Sequence, residues 1–251
     1  MSPLVHTEDV MGTVVSFTVH PESMPEPEVR AAVGDACRLL HHLDDTFSIW
    51  KPESPMSRLR RGELGLADVP PEIPLVLELC ADARDLSNGW FDPWAMPGGV
   101  DPTGLVKGWA VEQASEVLRR AGVAAALVNG GGDLVALGRP PLTGSWRIGI
   151  RHPWDAAALA CVVDLDRAIA TSGSYERGAH LVDPRTGQPS VAAASATVTG
   201  PSLAVADALA TALAAGGDEV LALLGDLAGY DGYLIRADAT EEATATMAFA
   251  D

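Results

Sequence analysis

The sequence predicts an α+β fold, and three observations carry that reading. Helical and strand-like segments are interspersed without a regular βαβ alternation. Hairpin-like strand pairs dominate the second half. The composition is that of an ordinary globular chain, with 47% hydrophobic and 20% charged residues over 251 positions, enough to bury a sizeable core as one large domain or two intimately joined halves.

Residues 10–20, VMGTVVSFTVH, combine β-branched and aromatic side chains in partial alternation and read as a strand opened by Met11-Gly12-Thr13. After a proline-rich loop, residues 28–45 place Val29, Val33, Cys37, Leu40 and Leu43 at helical spacing. Trp50 precedes a Pro/Ser-rich turn, where its ring either stacks on a ligand or caps an edge of the core. Residues 57–61 form a short helical or turn segment with a solvated basic face. A second amphipathic helix spans residues 71–88 and stops at Asn88-Gly89, followed by the crowded turn Trp90-Phe91-Asp92.

Residues 100–138 then hold a turn with Asp101, Pro102 and Gly104, a lysine between small residues, an amphipathic helix, and a strand running into Gly130-Gly131-Gly132 and Asp133. A turn at a helix N-terminus offers free N–H groups and a partial positive charge suited to phosphate, although the same pattern also describes a plain helix–turn–strand. Strands are predicted at 146–151 and 160–165, joined by a loop at 152–157, and at 167–170, 192–199 and 230–237. Helices are predicted at 202–215 and 219–224. Residues 240–251 have no clear pattern.

The formal net charge of −17 repels nucleic acid and anionic membranes, so a polyanionic ligand needs a metal ion or a few placed cations. The start of the chain has neither the basic nor the apolar region of a secretory signal, and no apolar run suffices to span a bilayer; a soluble, cytoplasmic protein is expected. Cys37, Cys80 and Cys161 are widely spaced in apolar surroundings and read as buried free thiols.

In SLAVADALATALAA, residues 202–215, Asp207 is the one charged residue, with Thr211 four positions on and on the same helix face. A lone carboxylate on an apolar helix must be paired, hydrogen-bonded or bound to a metal. An Asp and a Thr supply hard oxygen ligands of the kind Mg²⁺ accepts. Thr171-Ser172-Gly173 reads as a strand exit able to form an anion nest. His180 and Asp183 follow in a short span that also contains Arg185.

Taken together, the segments MGT at Met11, FSIW at Phe47, WFD at Trp90, VDPTGLVKGWAVE at Val100, LVNGGGD at Leu127, AIATSGSYERGAHLVDPRTG at Ala168 and ADALATAL at Ala206 resemble, in order, the motifs of the ApbE family, the FAD:protein FMN transferases. The resemblance covers residues 10–217 and implies an ApbE-like fold of mixed or antiparallel sheets with packed helices. It further implies two related halves with an FAD site between them, all in one flavin transferase domain over 1–251. It also implies that Met11 and the aromatic Trp50 contact the flavin and that Trp90, Phe91 and Asp92 line the nucleotide. Asp101, Lys107 and Leu181 are implied as FAD contacts. The backbone carbonyl of Gly104 and the side chains of Asp207 and Thr211 are implied as Mg²⁺ ligands. Three features depart from the family pattern: Trp50 replaces a tyrosine, Ser174 stands where an aspartate is usual, and Pro102-Thr103 replaces a Leu-Gly or Leu-Ser pair.

The activity implied is transfer of FMN from FAD to a threonine hydroxyl of a target protein with release of AMP; His180 is the candidate to assist that hydroxyl's deprotonation, with Asp183 orienting it or the surrounding turn. Water as acceptor would make the same site an FAD pyrophosphatase. A non-catalytic FAD-binding protein is the reading from a different class.

Overall fold

The computed structural model describes residues 2–21, 24–173, 182–190 and 192–250. The chain opens with a hairpin of β1 (Leu4–Val10) and β2 (Thr13–His20), followed by α1 (Glu26–Phe47), α2 (Pro55–Arg60) and α3 (Glu72–Leu86). A 3₁₀ turn at Pro93–Ala95 leads to α4 (Thr103–Arg120), β3 (Ala125–Gly130), β4 (Asp133–Leu137), β5 (Trp146–His152), β6 (Asp155–Leu165) and β7 (Ala168–Gly173). Next come the two-residue strands β8 (Val182–Asp183) and β9 (Gln188–Pro189), β10 (Ser195–Gly200), α5 (Leu203–Gly216), α6 (Asp218–Asp226), β11 (Asp231–Ile235) and β12 (Glu241–Ala243).

Eight strands form one antiparallel sheet in the order β1-β2-β3-β4-β7-β10-β11-β12. The N-terminal half supplies the first four and the C-terminal half the rest, meeting where Leu134 pairs with Ile169 and Val135 with Ala168. Strand alternation sends successive residues to opposite faces. Val135, Ala168, Ala170, Ala196 and Leu234 join the core shared with the helices. Leu134, Ala136, Ile169, Tyr233 and Ile235 instead meet Trp146, Ile150, Val163 and Leu165 of the β5–β6 hairpin. The sheet is thus covered by helices on one face and by a hairpin on the other, an α+β arrangement.

Several expectations shift in detail. The first strand is two: Met11 and Gly12, with φ of 56° and 67°, form the two-residue turn between β1 and β2, the left-handed geometry favoured in tight hairpins. The loop expected at 152–157 shrinks to a turn, because β5 and β6 extend to pair His152 with Asp155. The glycines at 130–132 close the β3–β4 hairpin. Thr171-Ser172-Gly173 is not a strand exit with free amides but the end of β7, paired through Gly173 with Ser195 of β10. Within the stretch left without a pattern, residues 240–250 add β12 and then return along β6, where Val163 bridges Phe249. Cys37, Cys80 and Cys161 are free thiols, the first two buried and the third half-buried. Among the described residues no helix is long and apolar enough to cross a membrane.

The closest helix contact joins α4 and α5. A Cβ placed on Gly108 would lie 2.5 Å from the Leu203 carbonyl oxygen and 2.8 Å from Asp207 Cβ, so only glycine allows the two backbones to approach this far. Gly108→Ala is expected to destabilise the protein by about 1–3 kcal/mol, read as a lowered urea midpoint with an unchanged slope.

Candidate active site

Three elements converge on Lys107. The residue lies in the second turn of α4, and Gly108 beside it brings α5 close enough for Asp207 to reach across. The Asp207 Oδ2 atom accepts from the Gly108 backbone N–H at 2.9 Å, and its Oδ1 stands 3.8 Å from Lys107 Nζ. From the sheet, Asp133 forms an ion pair with the same ammonium. Asp133 shares the sheet face of Val135, two residues on, and its other oxygen accepts from the Thr171 backbone N–H at 3.1 Å. Asp133 is fully buried and Asp207 is 3% exposed. Among the described residues, two buried carboxylates therefore share the Lys107 ammonium.

One turn along α5, Thr211 carries the next oxygen. Its hydroxyl is 3.4 Å from Ser172 Oγ on β7, and a Cβ on Gly104 would lie 3.3 Å from it and 3.2 Å from Phe91 Cε2. Gly104, Lys107, Phe91, Asp207 and Thr211 are thus gathered in one place. Gly108 N–H, which in a regular helix serves the carbonyl of residue 104, is engaged by Asp207.

The comparisons with known proteins bear on what this arrangement is. A family model described as the ApbE family matches residues 11–98 and 95–234. The chain belongs to the ApbE family. It is 35% identical over 175 residues to the FAD:protein FMN transferase of Rhodobacter capsulatus, covering 61% of this chain and 32% of that protein. It is 34% identical over 131 residues to that of Klebsiella pneumoniae, covering 48% and 37%. The chain spans about a third of the length of these curated relatives. The fold matches a solved ApbE protein of Thermotoga maritima with a TM-score of 0.87 at 20% identity, and the flavin transferase ApbE of Vibrio cholerae with 0.83 at 21%. Both matches cover 98% of each chain.

The other positions expected from the ApbE motifs are distributed around this centre. Asp101 stands just ahead of α4, its Oδ1 accepting from Thr103 N–H at 3.1 Å and from Thr103 Oγ1 at 2.7 Å. Asp92 accepts from Trp94 N–H at 2.9 Å and pairs with Arg84 at 2.9 Å. Trp90 lies against Gly216 near the end of α5, with the Arg185 guanidinium stacked 3.8 Å over its ring. That guanidinium also pairs with Glu219 at 2.9 Å. Asp183 caps the β8–β9 turn, accepting from Arg185 N–H at 2.8 Å. Met11 occupies the β1–β2 turn, beside an open groove lined by Asp9, Thr13 and Asp44. Neither Met11 nor Trp50 touches the Lys107 cluster in the contacts described. His180 and Leu181 lie outside the described residues.

The sequence reading assigned no role to Asp133, Gly108 or Arg185. For Asp133 the signal was available: an acid leading a strand of apolar residues invites the same question as Asp207. Trp50 is 86% exposed, which removes the alternative of a core-edge cap.

Two stability measurements check this picture. Trp50→Ala should leave unfolding free energy within about 0.5 kcal/mol of the parent, as an exposed ring with few contacts requires. Lys107→Ala strands two buried carboxylates and should cost about 3–5 kcal/mol. Urea denaturation of the two variants in parallel reads both.

Proposed function

We propose that the chain is a Mg²⁺-dependent FAD:protein FMN transferase, residues 1–251 acting as one domain. The reaction would move FMN from FAD to a threonine hydroxyl of a target protein and release AMP. One observation carries this reading: the Lys107 ammonium held between buried Asp133 and Asp207, with Thr211 and Gly104 alongside. The names of the curated relatives support the substrate class.

The donor set fits magnesium. Asp207 and Thr211 offer hard oxygens one helical turn apart, with the backbone of Gly104 packed against Thr211. When bound there, the ion would neutralise phosphate oxygens of the pyrophosphate. Lys107, 21% exposed at its side chain, is placed to share charge on the departing AMP phosphate, and Asp133 fixes where its ammonium sits. Trp50 and Met11 offer a flat ring and a thioether to the isoalloxazine. In the transfer step the threonine oxygen bonds to the FMN phosphorus. The bridging P–O bond breaks, its electron pair leaves with AMP, and the hydroxyl proton passes to His180 as general base, with Asp183 orienting it.

Incubation with FAD and Mg²⁺, with and without a threonine-bearing acceptor flavoprotein, tests the assignment. AMP together with protein-bound flavin is the expected result, and Asp207→Ala should lower the rate at least about a hundredfold. AMP with no bound flavin would make the chain a pyrophosphatase, and no AMP at all would leave a protein that only holds FAD.

A further inference from the structure

Strand β1 carries a polar cluster that the site above does not use. Its sheltered side is formed by Leu4, His6, Glu8 and Val10, while Val5, Thr7 and Asp9 are exposed. The sheltered face of a strand ordinarily takes apolar residues, yet two of these four are titratable. Helix α1 packs nearby and contributes Cys37 from its buried face and His41 one turn on. The ligand atoms of His6, Glu8 and Cys37 lie within 4.8 Å of one another. Glu8 Oε2 is 3.2 Å from His6 Nε2, and Glu8 Oε1 is 2.7 Å from His41 Nε2.

We propose that His6, Glu8 and Cys37, with His41 as fourth donor, bind a divalent cation of the zinc class and tie edge strand β1 to α1. The sequence pattern is H-x-E on a strand and C-x-x-x-H on a helix, and each spacing puts its two donors on one face. Imidazole, carboxylate and thiolate are the ligands of tetrahedral zinc. A thiolate is a poor ligand for magnesium, so this site differs in preference from the Asp207 and Thr211 set. Zinc–ligand bonds of about 2.0–2.3 Å bring four donors to within about 3–4 Å of each other. The His6, Glu8 and Cys37 atoms, within 4.8 Å of one another, close to that with side-chain movements of about an ångström, and His41 turns in from its contact with Glu8. On binding, the Cys37 thiol loses its proton to solvent and its sulfur coordinates the metal. An edge strand held in this way is also fixed in register on its exposed side, where a partner strand could otherwise add.

The test uses the full chain, stripped of metal with a chelator and titrated with Co²⁺ as a spectroscopic probe. One equivalent should produce a thiolate-to-cobalt charge-transfer band with tetrahedral d–d absorption, and Zn²⁺ should displace it while raising Tm. Cys37→Ser should abolish the charge-transfer band. His6→Ala, at a side chain 41% exposed and therefore safe for folding, should weaken binding at least about tenfold. Asp207→Ala should keep the band. Absence of the band in the parent protein means that the four side chains form a hydrogen-bonded cluster only, and overturns the proposal. A band that survives Cys37→Ser, an unchanged cobalt affinity in His6→Ala, or loss of the band with Asp207→Ala overturns it as well.

Discussion

The ion pairing of Lys107 with two buried carboxylates is the constraint around which the rest of the molecule is arranged. Neither Asp133 nor Asp207 has meaningful access to water, and a charge in that position is tolerable only if partners reach it. The partners come from two elements, the Lys107 ammonium and the Gly108 amide from α4 and the Thr171 amide from β7. Satisfying the charges therefore fixes the two halves of the chain against each other. Where the short β4–β7 ladder stops, the Asp133 side chain takes the Thr171 amide and continues the connection.

The same arrangement reconciles an acidic protein with the polyanionic substrate proposed for it. A net charge of −17 disfavours a phosphate ligand at long range. The fold answers locally by placing a partly exposed lysine beside hard oxygen donors, and under the proposed function affinity would rest on short-range charge and a divalent ion. Arg185, stacked on Trp90 and paired with Glu219, adds a second cation near the C-terminal end of α5.

Much of this was legible in the sequence, and the parts that were not have identifiable causes. Helices α1, α3 and α5 follow directly from apolar spacing and from their flanking residues, with Ser202 capping α5 and Asn88-Gly89 adopting positive φ just after α3. Strand β1 was missed because His6 and Glu8 occupy sheltered positions and disguise the alternation. Thr171, Ser172 and Gly173 resemble a loop in composition, yet they end a strand, with Thr171 Oγ1 2.9 Å from Thr197 Oγ1 on β10. Asp207 stands out against an apolar helix, and Asp133, at the head of an apolar strand, carries the same signal beside the glycines of a turn. No local pattern could pair Lys107 with Asp133, since the contact depends on how the sheet is ordered.

The composition of α5 follows from the same requirement. The helix packs against α4 on one side and against the sheet through β7 and β10 on another, so nearly its whole circumference is buried. Alanine at almost every other position keeps it thin enough for both contacts, and Gly108 removes the last obstacle on the α4 side. In a helix so enclosed, an acid cannot bend away to solvent. Asp207 is held where the backbone puts it, and a rigid carboxylate directed at a lysine and a helix amide suits the ion-binding role proposed for it, because little conformational entropy would remain to be lost on binding. The small residues and the single acid of ADALATAL are two consequences of one packing solution.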